Sequence, residues 1–575
     1  MISLLLLSFI SLACVGVVVG AGAFVVRLTI PGSQAIAAAG GLVALGAVSG
    51  ALLLATPFGA DVVRGVGLTF LVLATAVIVG AVFRQRISGA IPIVMLSAGV
   101  LTFSLGVLGR TSPDALPFGA AATRFLPWAL PEDNRIPAIL ASWLVSPGSG
   151  EYLIGDWLPS DRPPLQAGVI LLVRSGMWLI QQLSGGVFSD NDVDYLASVA
   201  AQSVWILGAV CVCLAVGFRM RAAVAAIAVA AVVPVMLVNT LYTWPKLFAG
   251  GMAVAAIGVL VVGVRSHAPR TPALVLAAAL TAFAMLSHGG AAFVLPIILG
   301  LAVVLLARMR TWRRRILASV IAVGVALAIY APWVYFQRVV SPPGDRLLKW
   351  HLAGVIPVDE RSFVEAFIDQ YSTLSPGEFW NARLSNLAHA FDFRILEGLD
   401  LWASNGIERR LTAEFYETPI ALSLGILPLI ALLLVAAVRR IRGSEIDSPT
   451  RWSVALALAA VGSLILWALV LFSPDGALVH QGSHAWMILL LVMPFAWLFS
   501  ERPWIGAILA ALQIALTLVL TWSAPLHPEV TAVTWCIAAG IALLAIAVLI
   551  SRDTRVDRGA VVAAPSAIAP GAQTH

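Results

Sequence analysis

Charge is scarce in this chain. Asp, Glu, Lys and Arg make up 11% of its 575 residues, against roughly 25% in soluble globular proteins. A soluble fold of any size needs a charged surface, so this scarcity excludes one. With 60% hydrophobic residues, the chain reads as an all-α, polytopic transmembrane helical bundle, and dividing its length by a soluble domain size says nothing about domain count. Cysteine is scarce too. The four cysteines, Cys14, Cys211, Cys213 and Cys536, all lie in apolar runs, where they act as small hydrophobes. Cys211-Val212-Cys213 lacks metal spacing and falls mid-helix, so neither a disulfide framework nor a zinc site is expected. There is no glycine-rich phosphate loop and no soluble nucleotide-binding domain, which argues against an ATP-driven pump. No sequence repeat is evident, so an inverted-repeat transporter gains no support from self-similarity. The first segment, 1–26, lacks a basic leader and a cleavage site and reads as a retained helix.

Long apolar runs are abundant. A spanning helix needs about 20 mostly apolar residues. Fifteen segments qualify: 3–26, 34–56, 64–83, 90–108, 195–217, 222–240, 247–264, 272–287, 290–307, 316–335, 417–438, 452–472, 482–499, 503–522 and 529–550. Allowing for splits and mergers, about 13–16 spans are expected. The net charge of +6 comes from short arginine-rich runs, which mark a cytoplasmic face rather than nucleic-acid binding. These are Arg84 and Arg86, Arg219 and Arg221, Arg265 and Arg270, the run 308–315, Arg439 to Arg442, and Arg552, Arg555 and Arg558. Two longer connections, 109–163 and 336–416, are then expected to face outward from an inner (plasma) membrane, carrying short helices. The chain divides into 1–108, a four-helix membrane segment; 109–335, a membrane core with the first outward loop; 336–416, the second; 417–550, further membrane helices; and 551–575, a disordered cytoplasmic tail. One apolar segment, 165–184, carries Arg174 in its middle. An uncompensated arginine at mid-bilayer is costly, so this segment is expected not to cross and to lie as an interfacial or re-entrant helix.

Two polar words interrupt the apolar text. The first is P-E-D-N-R-I-P-A-I-L-A-S-W-L, residues 131–144; the second is G-D-W-L-P-S-D-R-P-P-L-Q, residues 155–166. Glu132 and Asp133 precede Arg135 and a short amphipathic helix. Asp156, Asp161 and Arg162 precede a Pro-Pro pair that stiffens the entry to the next segment. A carboxylate at a partly dry surface can act as a general base, and an arginine can hold phosphate through paired hydrogen bonds. The combination suits a reaction on a phosphate-bearing lipid. The bland alternative is a solvated loop whose acids merely pair with Arg135 and Arg162.

In order and wording these features resemble the C-type (GT-C) membrane glycosyltransferases, which include protein mannosyltransferases and aminoarabinose transferases. In that class an early outward loop carries a catalytic Asp or Glu, then a short helix, then a Pro-Pro-Leu word. The resemblance covers roughly 125–300. It departs from the class in placing the loop after the fourth helix rather than the first, which implies an extension of three helices. It implies a sugar donor linked to polyprenyl phosphate, an unidentified acceptor and catalysis on the extracytoplasmic side. Asp133 would be the base, with Glu132 second and Asp156 assisting. Arg135, Asp161, Arg162, Tyr242, Lys246, His288 and Arg346 are the candidates for holding substrate or its phosphate. No cofactor or metal is indicated. Each also has a plainer reading. Trp244 and Tyr242 suit an interfacial belt from which Lys246 snorkels, and Ser287 to Gly290 is a tight turn. Arg346 sits with Lys349 and His351 in a cluster able to meet any anionic headgroup. His480 and His484 have metal-capable spacing, but no neighbouring acid completes a zinc motif. Readings from other classes are a lipid or solute transporter (flippase), a surface-polysaccharide ligase or polymerase, and a non-catalytic scaffold.

Overall fold

The computed structural model describes residues 2–29, 34–83, 91–109, 117–123, 130–146, 152–186, 188–265, 270–391, 418–472 and 484–523, with isolated positions at 406, 409–410, 412 and 540. Among the described residues the regular secondary structure is all helical, apart from one isolated β-bridge between Ile154 and Trp157. Twelve helices are long and apolar enough to cross a membrane, and each coincides with one of the fifteen segments expected from the sequence. Of the other three, 529–550 lies outside the described residues except at position 540, and Arg84, Arg86, His480, Cys536 and the tail 551–575 lie outside them too. The segment 90–108 forms a helix with a shorter apolar stretch, Ile93–Ser104.

The remaining segment, 222–240, is not one continuous helix. It breaks into Met220–Val232 and Pro234–Tyr242, bent by 73°. Pro234 has no N–H to donate and forces Val233 out of helical geometry, and Val233 is indeed extended. The carbonyl of Val232, freed by the break, accepts from the Thr517 hydroxyl at 2.7 Å, the kind of substitute partner that a broken membrane helix requires.

The opening helices are α1 (Ile2–Thr29), α2 (Gln34–Ala55), α3 (Ala60–Phe83) and α4 (Ile91–Gly109). Then come α5 (Pro117–Thr123), α6 (Ile136–Val145), α7 (Leu165–Ser184), α8 (Asp190–Ser203) and α9 (Trp205–Val216). The broken pair is α10 (Met220–Val232) and α11 (Pro234–Tyr242), followed by α12 (Lys246–Arg265) and α13 (Arg270–Ser287). At the centre stand α12, buried from Lys246 to Val264, and the helix His484–Glu501, buried from His484 to Leu498. The α9–α12 pair approaches backbone to backbone. A Cβ on Gly208 would lie 2.0 Å from the Gly251 carbonyl, and one on Gly251 would lie 2.5 Å from Trp205 Cα. Small residues at such contacts are how membrane helices gain close packing. Gly251→Val is therefore expected to destabilise the fold by at least about 1–3 kcal/mol through overpacking. Gly462, with open space around its Cβ position, should accept alanine without loss. Thermal unfolding in detergent distinguishes the two.

The bundle has two chemically distinct ends. At one, arginines close helix C-termini: Arg265 donates to the Ala215 carbonyl, Arg308 to that of Val264, and Arg270 to that of Arg308 at 2.6 Å. These satisfy carbonyls that a helix end leaves orphaned. At the other end the polar loops collect. Here α7 packs against both α2 and α3. Gly168 abuts Ser49 and, ten residues on, Trp178 lies under Arg64 at 4.9 Å. One premise about this segment is corrected. Arg174 is compensated, binding the Asp194 carboxylate through two nitrogens at 2.7 and 2.6 Å and the Ser142 hydroxyl at 2.8 Å.

After α14 (Leu295–Ala307) and α15 (Trp312–Tyr335), the second loop folds into α16 (Arg346–Ala353), α17 (Phe363–Ser372) and α18 (Pro376–Ala390). The later helices Ile426–Ile441, Ser448–Val470 and Pro503–Ser523 return to the bundle.

Candidate functional site

The turn between α11 and α12 is the foundation of the polar end. Thr243 sits there at φ 65°, a left-handed conformation uncommon for a residue with a Cβ. A buried amide network over-determines it. Gln166 donates to the Thr243 carbonyl at 3.1 Å, Gln202 donates to Gln166 at 2.7 Å, and the Phe248 N–H donates to Gln202 at 3.2 Å. The Tyr195 hydroxyl donates to the Leu241 carbonyl at 2.9 Å. So constrained, the turn presents the Tyr242 and Trp244 rings edge to face, 4.3 Å apart.

Asp133 meets them from the first loop. It lies in a 3₁₀ turn, Glu132–Arg135, that leads into α6. Asn134 anchors the turn by donating to the Phe118 carbonyl at 3.2 Å. The turn aims its acids apart. Glu132 and Arg135 point outward and pair with each other at 3.6 Å. Asp133 points inward, its side chain 9% exposed. Its Oδ1 accepts from Trp244 Nε1 at 2.6 Å and lies 3.0 Å from the Tyr242 hydroxyl; its Oδ2 meets Arg162 Nη2 at 2.5 Å. The Tyr242 hydroxyl also lies against the Pro131 carbonyl, and its single proton serves one of the two acceptors.

Arg162 links this carboxylate to the second loop. Its guanidinium stacks on Trp157 at 4.4 Å, and Arg346 stacks on the same ring at 4.6 Å. Arg346 also donates to the Asp156 carbonyl at 2.7 Å, to the Asp156 carboxylate at 2.6 Å and to the Ile356 carbonyl at 3.1 Å, and it lies 3.5 Å from Asp161. Burial pushes the Asp161 carboxyl up, opposed by the Leu158 N–H and by Arg346. Gln337 reaches the Ser160 carbonyl at 3.1 Å. Lys349 is buried between Asp345, at 2.8 Å, and the Asp359 carbonyl, at 2.5 Å. The two loops are thus clasped together rather than independently solvated.

Positive charge lies beside Asp133. Lys246 is buried, with its Nζ 3.9 Å above the Trp244 ring. It does not snorkel. His288 accepts from the Gly290 N–H at 3.0 Å through Nδ1, capping the next helix. Burial, then the charges of Lys246, Arg162 and the imidazoles of His484 and His351, hold its pKa well below the usual range. His351 is pushed down to about 4 from 6.5, by burial first and then by Arg162 and Lys246. Below pH 6.5 the unfolded chain therefore takes up a proton that the folded protein refuses until about pH 4. The stability this contributes is present above pH 6.5 and is lost as pH falls toward 4. His351→Phe should flatten the stability–pH curve across that window, read by thermal unfolding at stepped pH.

The structure therefore gathers Asp133, Arg162, Tyr242 and Lys246, with His288 in electrostatic reach. It places Arg346, Asp156 and Asp161 behind Trp157, and it sets Glu132 and Arg135 apart. Trp157, Gln166 and Gln202 complete the arrangement without having been singled out from the sequence, and Trp244, read there as part of an interfacial belt, bonds Asp133. One signal was available. The chain holds 35 Lys and Arg residues, yet only two are lysine, Lys246 and Lys349, and both are buried at this end. Among the described residues, no group of three or more His, Cys, Asp or Glu is placed to hold a metal ion. A carboxylate beside Arg162 and Lys246 sets a hydrogen-bond acceptor next to cations that can meet an anion. No protein family matches the chain, and neither does any curated protein or solved structure.

Proposed function

We propose that the protein is a membrane glycosyltransferase that moves a sugar from a polyprenyl-phosphate donor to an acceptor hydroxyl on the extracytoplasmic side. The observation that carries the reading is Asp133, an inward carboxylate fixed by Arg162, Trp244 and Tyr242 amid the charges of Lys246 and Arg162. Its position in the loop that resembles the GT-C class supports the same reading. Asp133 takes the proton of the acceptor hydroxyl as its oxygen bonds to the anomeric carbon. The bond from that carbon to the phosphate oxygen breaks on the opposite face, inverting configuration, and the lipid phosphate leaves with the electron pair. Arg162 moves from Asp133 toward the departing phosphate, and Lys246 stabilises the same charge. The test is transfer of labelled sugar from a synthetic polyprenyl-phosphate donor by purified protein in proteoliposomes, with Asp133→Asn as the control. Equal transfer by the two proteins, or none by either with a panel of donors and acceptors, removes the proposal.

One observation favours a different class. The 73° break between α10 and α11 delivers Tyr242 to the site, and broken helices often build transport sites. A lipid or solute flippase would relocate its substrate intact, so recovery of unhydrolysed donor in the opposite leaflet separates the two readings.

A further inference from the structure

The second loop carries an apolar surface that the bundle does not cover. In α17 three sectors are distinct. Ala366 is fully buried on the side packed against α16. Glu365 and Asp369 occupy a second, exposed sector. Val364, Phe367 and Ile368, spaced i, i+3 and i+4, form a third, with Val364 and Ile368 each 61% exposed. A capping box fixes the start of this helix, and with it these directions. The Ser362 hydroxyl accepts from the Glu365 N–H at 3.2 Å, and Glu365 accepts from the Ser362 N–H at 2.8 Å. The next helix, α18, repeats the pattern. Arg383 and Asn386 are buried on its inner side, where Asn386 donates to the Leu471 carbonyl at 3.3 Å. Trp380 and Leu384 stand out on the other, 57% and 58% exposed.

We propose that α17 and α18 lie in the bilayer surface as a monotopic platform beside the site, their apolar faces entering the boundary between headgroups and acyl chains. Lipid is the occupant because the surface continues a lipid-facing one. The exposed belt of α15, including Val320, Leu327, Val334 and Tyr335, runs on through Val339 and Val340 into this loop. In addition, α18 rests directly on the membrane-length helix Ser448–Val470. An amphipathic helix with a tryptophan at its apolar edge and acids turned away from lipid suits that boundary.

The test places single cysteines at Val364, Ile368 and Leu384, and at Glu365 and Asp369, in a chain whose four native cysteines are alanine. Each is spin-labelled and the full protein reconstituted in nanodiscs. Variants that elute as wild type are compared for collision with oxygen, which concentrates in lipid, and with a water-soluble nickel chelate. The expected result is a reversal: oxygen dominates at Val364, Ile368 and Leu384, and the chelate dominates at Glu365 and Asp369. Chelate dominance at the three apolar positions overturns the proposal in favour of a water-facing surface. Inaccessibility to both relaxants overturns it in favour of a protein partner or a second copy. None of these readouts depends on sugar transfer.

Discussion

Asp133→Asn is expected to lower the rate of sugar transfer by about 10²–10⁴-fold, the range general-base catalysis typically supplies, while the protein remains folded. Asparagine keeps an oxygen where Asp133 Oδ1 accepts from Trp244 at 2.6 Å, so the indole and phenol retain their partner. What is lost is the negative charge facing Arg162. That guanidinium still stacks on Trp157 at 4.4 Å, and its side chain is 14% exposed, so water can meet it. Losing a charged hydrogen bond of this kind costs about 1.5–3 kcal/mol of stability, which a folded bundle of this size withstands. Glu132→Gln is the matched control. Glu132 points outward and meets only Arg135 at 3.6 Å, so transfer should be unchanged. Equal losses from both substitutions would show that adjacency to the site, rather than proton transfer by Asp133, sets the rate.

Arg346→Ala should unclasp the two loops, costing about 3–5 kcal/mol, the penalty typical of removing one partner from a buried ion pair. The contacts of Arg346 are unequal in weight. The Asp156 carboxylate is 59% exposed, and an exposed pair contributes about 0–1 kcal/mol. The loss comes mainly from Asp161, whose side chain is fully buried, and from the Trp157 face. Without Arg346 the Asp161 carboxyl, already pushed up by burial, rises further. Its folded pKa then stands still further above its unfolded one, so the added penalty is fully present at neutral pH and shrinks as pH falls and Asp161 takes up a proton. Arg346→Ala with Asp161→Asn should recover part of the loss at pH 7. Hydrogen exchange across α16 reads the effect directly. Undiminished protection there in the single variant would mean that Gln337 and Ser341, which both reach Ser160, suffice to hold the loops together.

The membrane architecture was legible because its constraint is crude: a crossing needs a certain apolar length, and such lengths stand out against scarce charge. Finer features depended on partners far apart in sequence. Arg174 read as a liability because Asp194, twenty residues on, could not be recognised as its counter-charge. The break at Pro234 was hidden because membrane helices often carry proline unbroken; here Thr517, far along the chain, supplies the missing donor. Glu132 and Asp133 could not be told apart, since which neighbour faces inward depends on the phase of a single 3₁₀ turn, fixed by Asn134 gripping Phe118. Trp244 was visible as a belt residue, but not as a donor to Asp133, because its partner lies 111 residues away in the first loop. Arg346 was visible as a cation, but its role as a clasp was not, because both acids it holds belong to the other loop.

The indole of Trp157, gripped between two guanidinium groups from opposite loops, makes the pair mechanically interdependent. An anion that draws Arg162 aside frees one face of that ring, and Arg346 inherits the altered stacking. A chain in which Trp157 is the one tryptophan retained near these guanidinium groups should therefore change its emission when an anion draws Arg162 away.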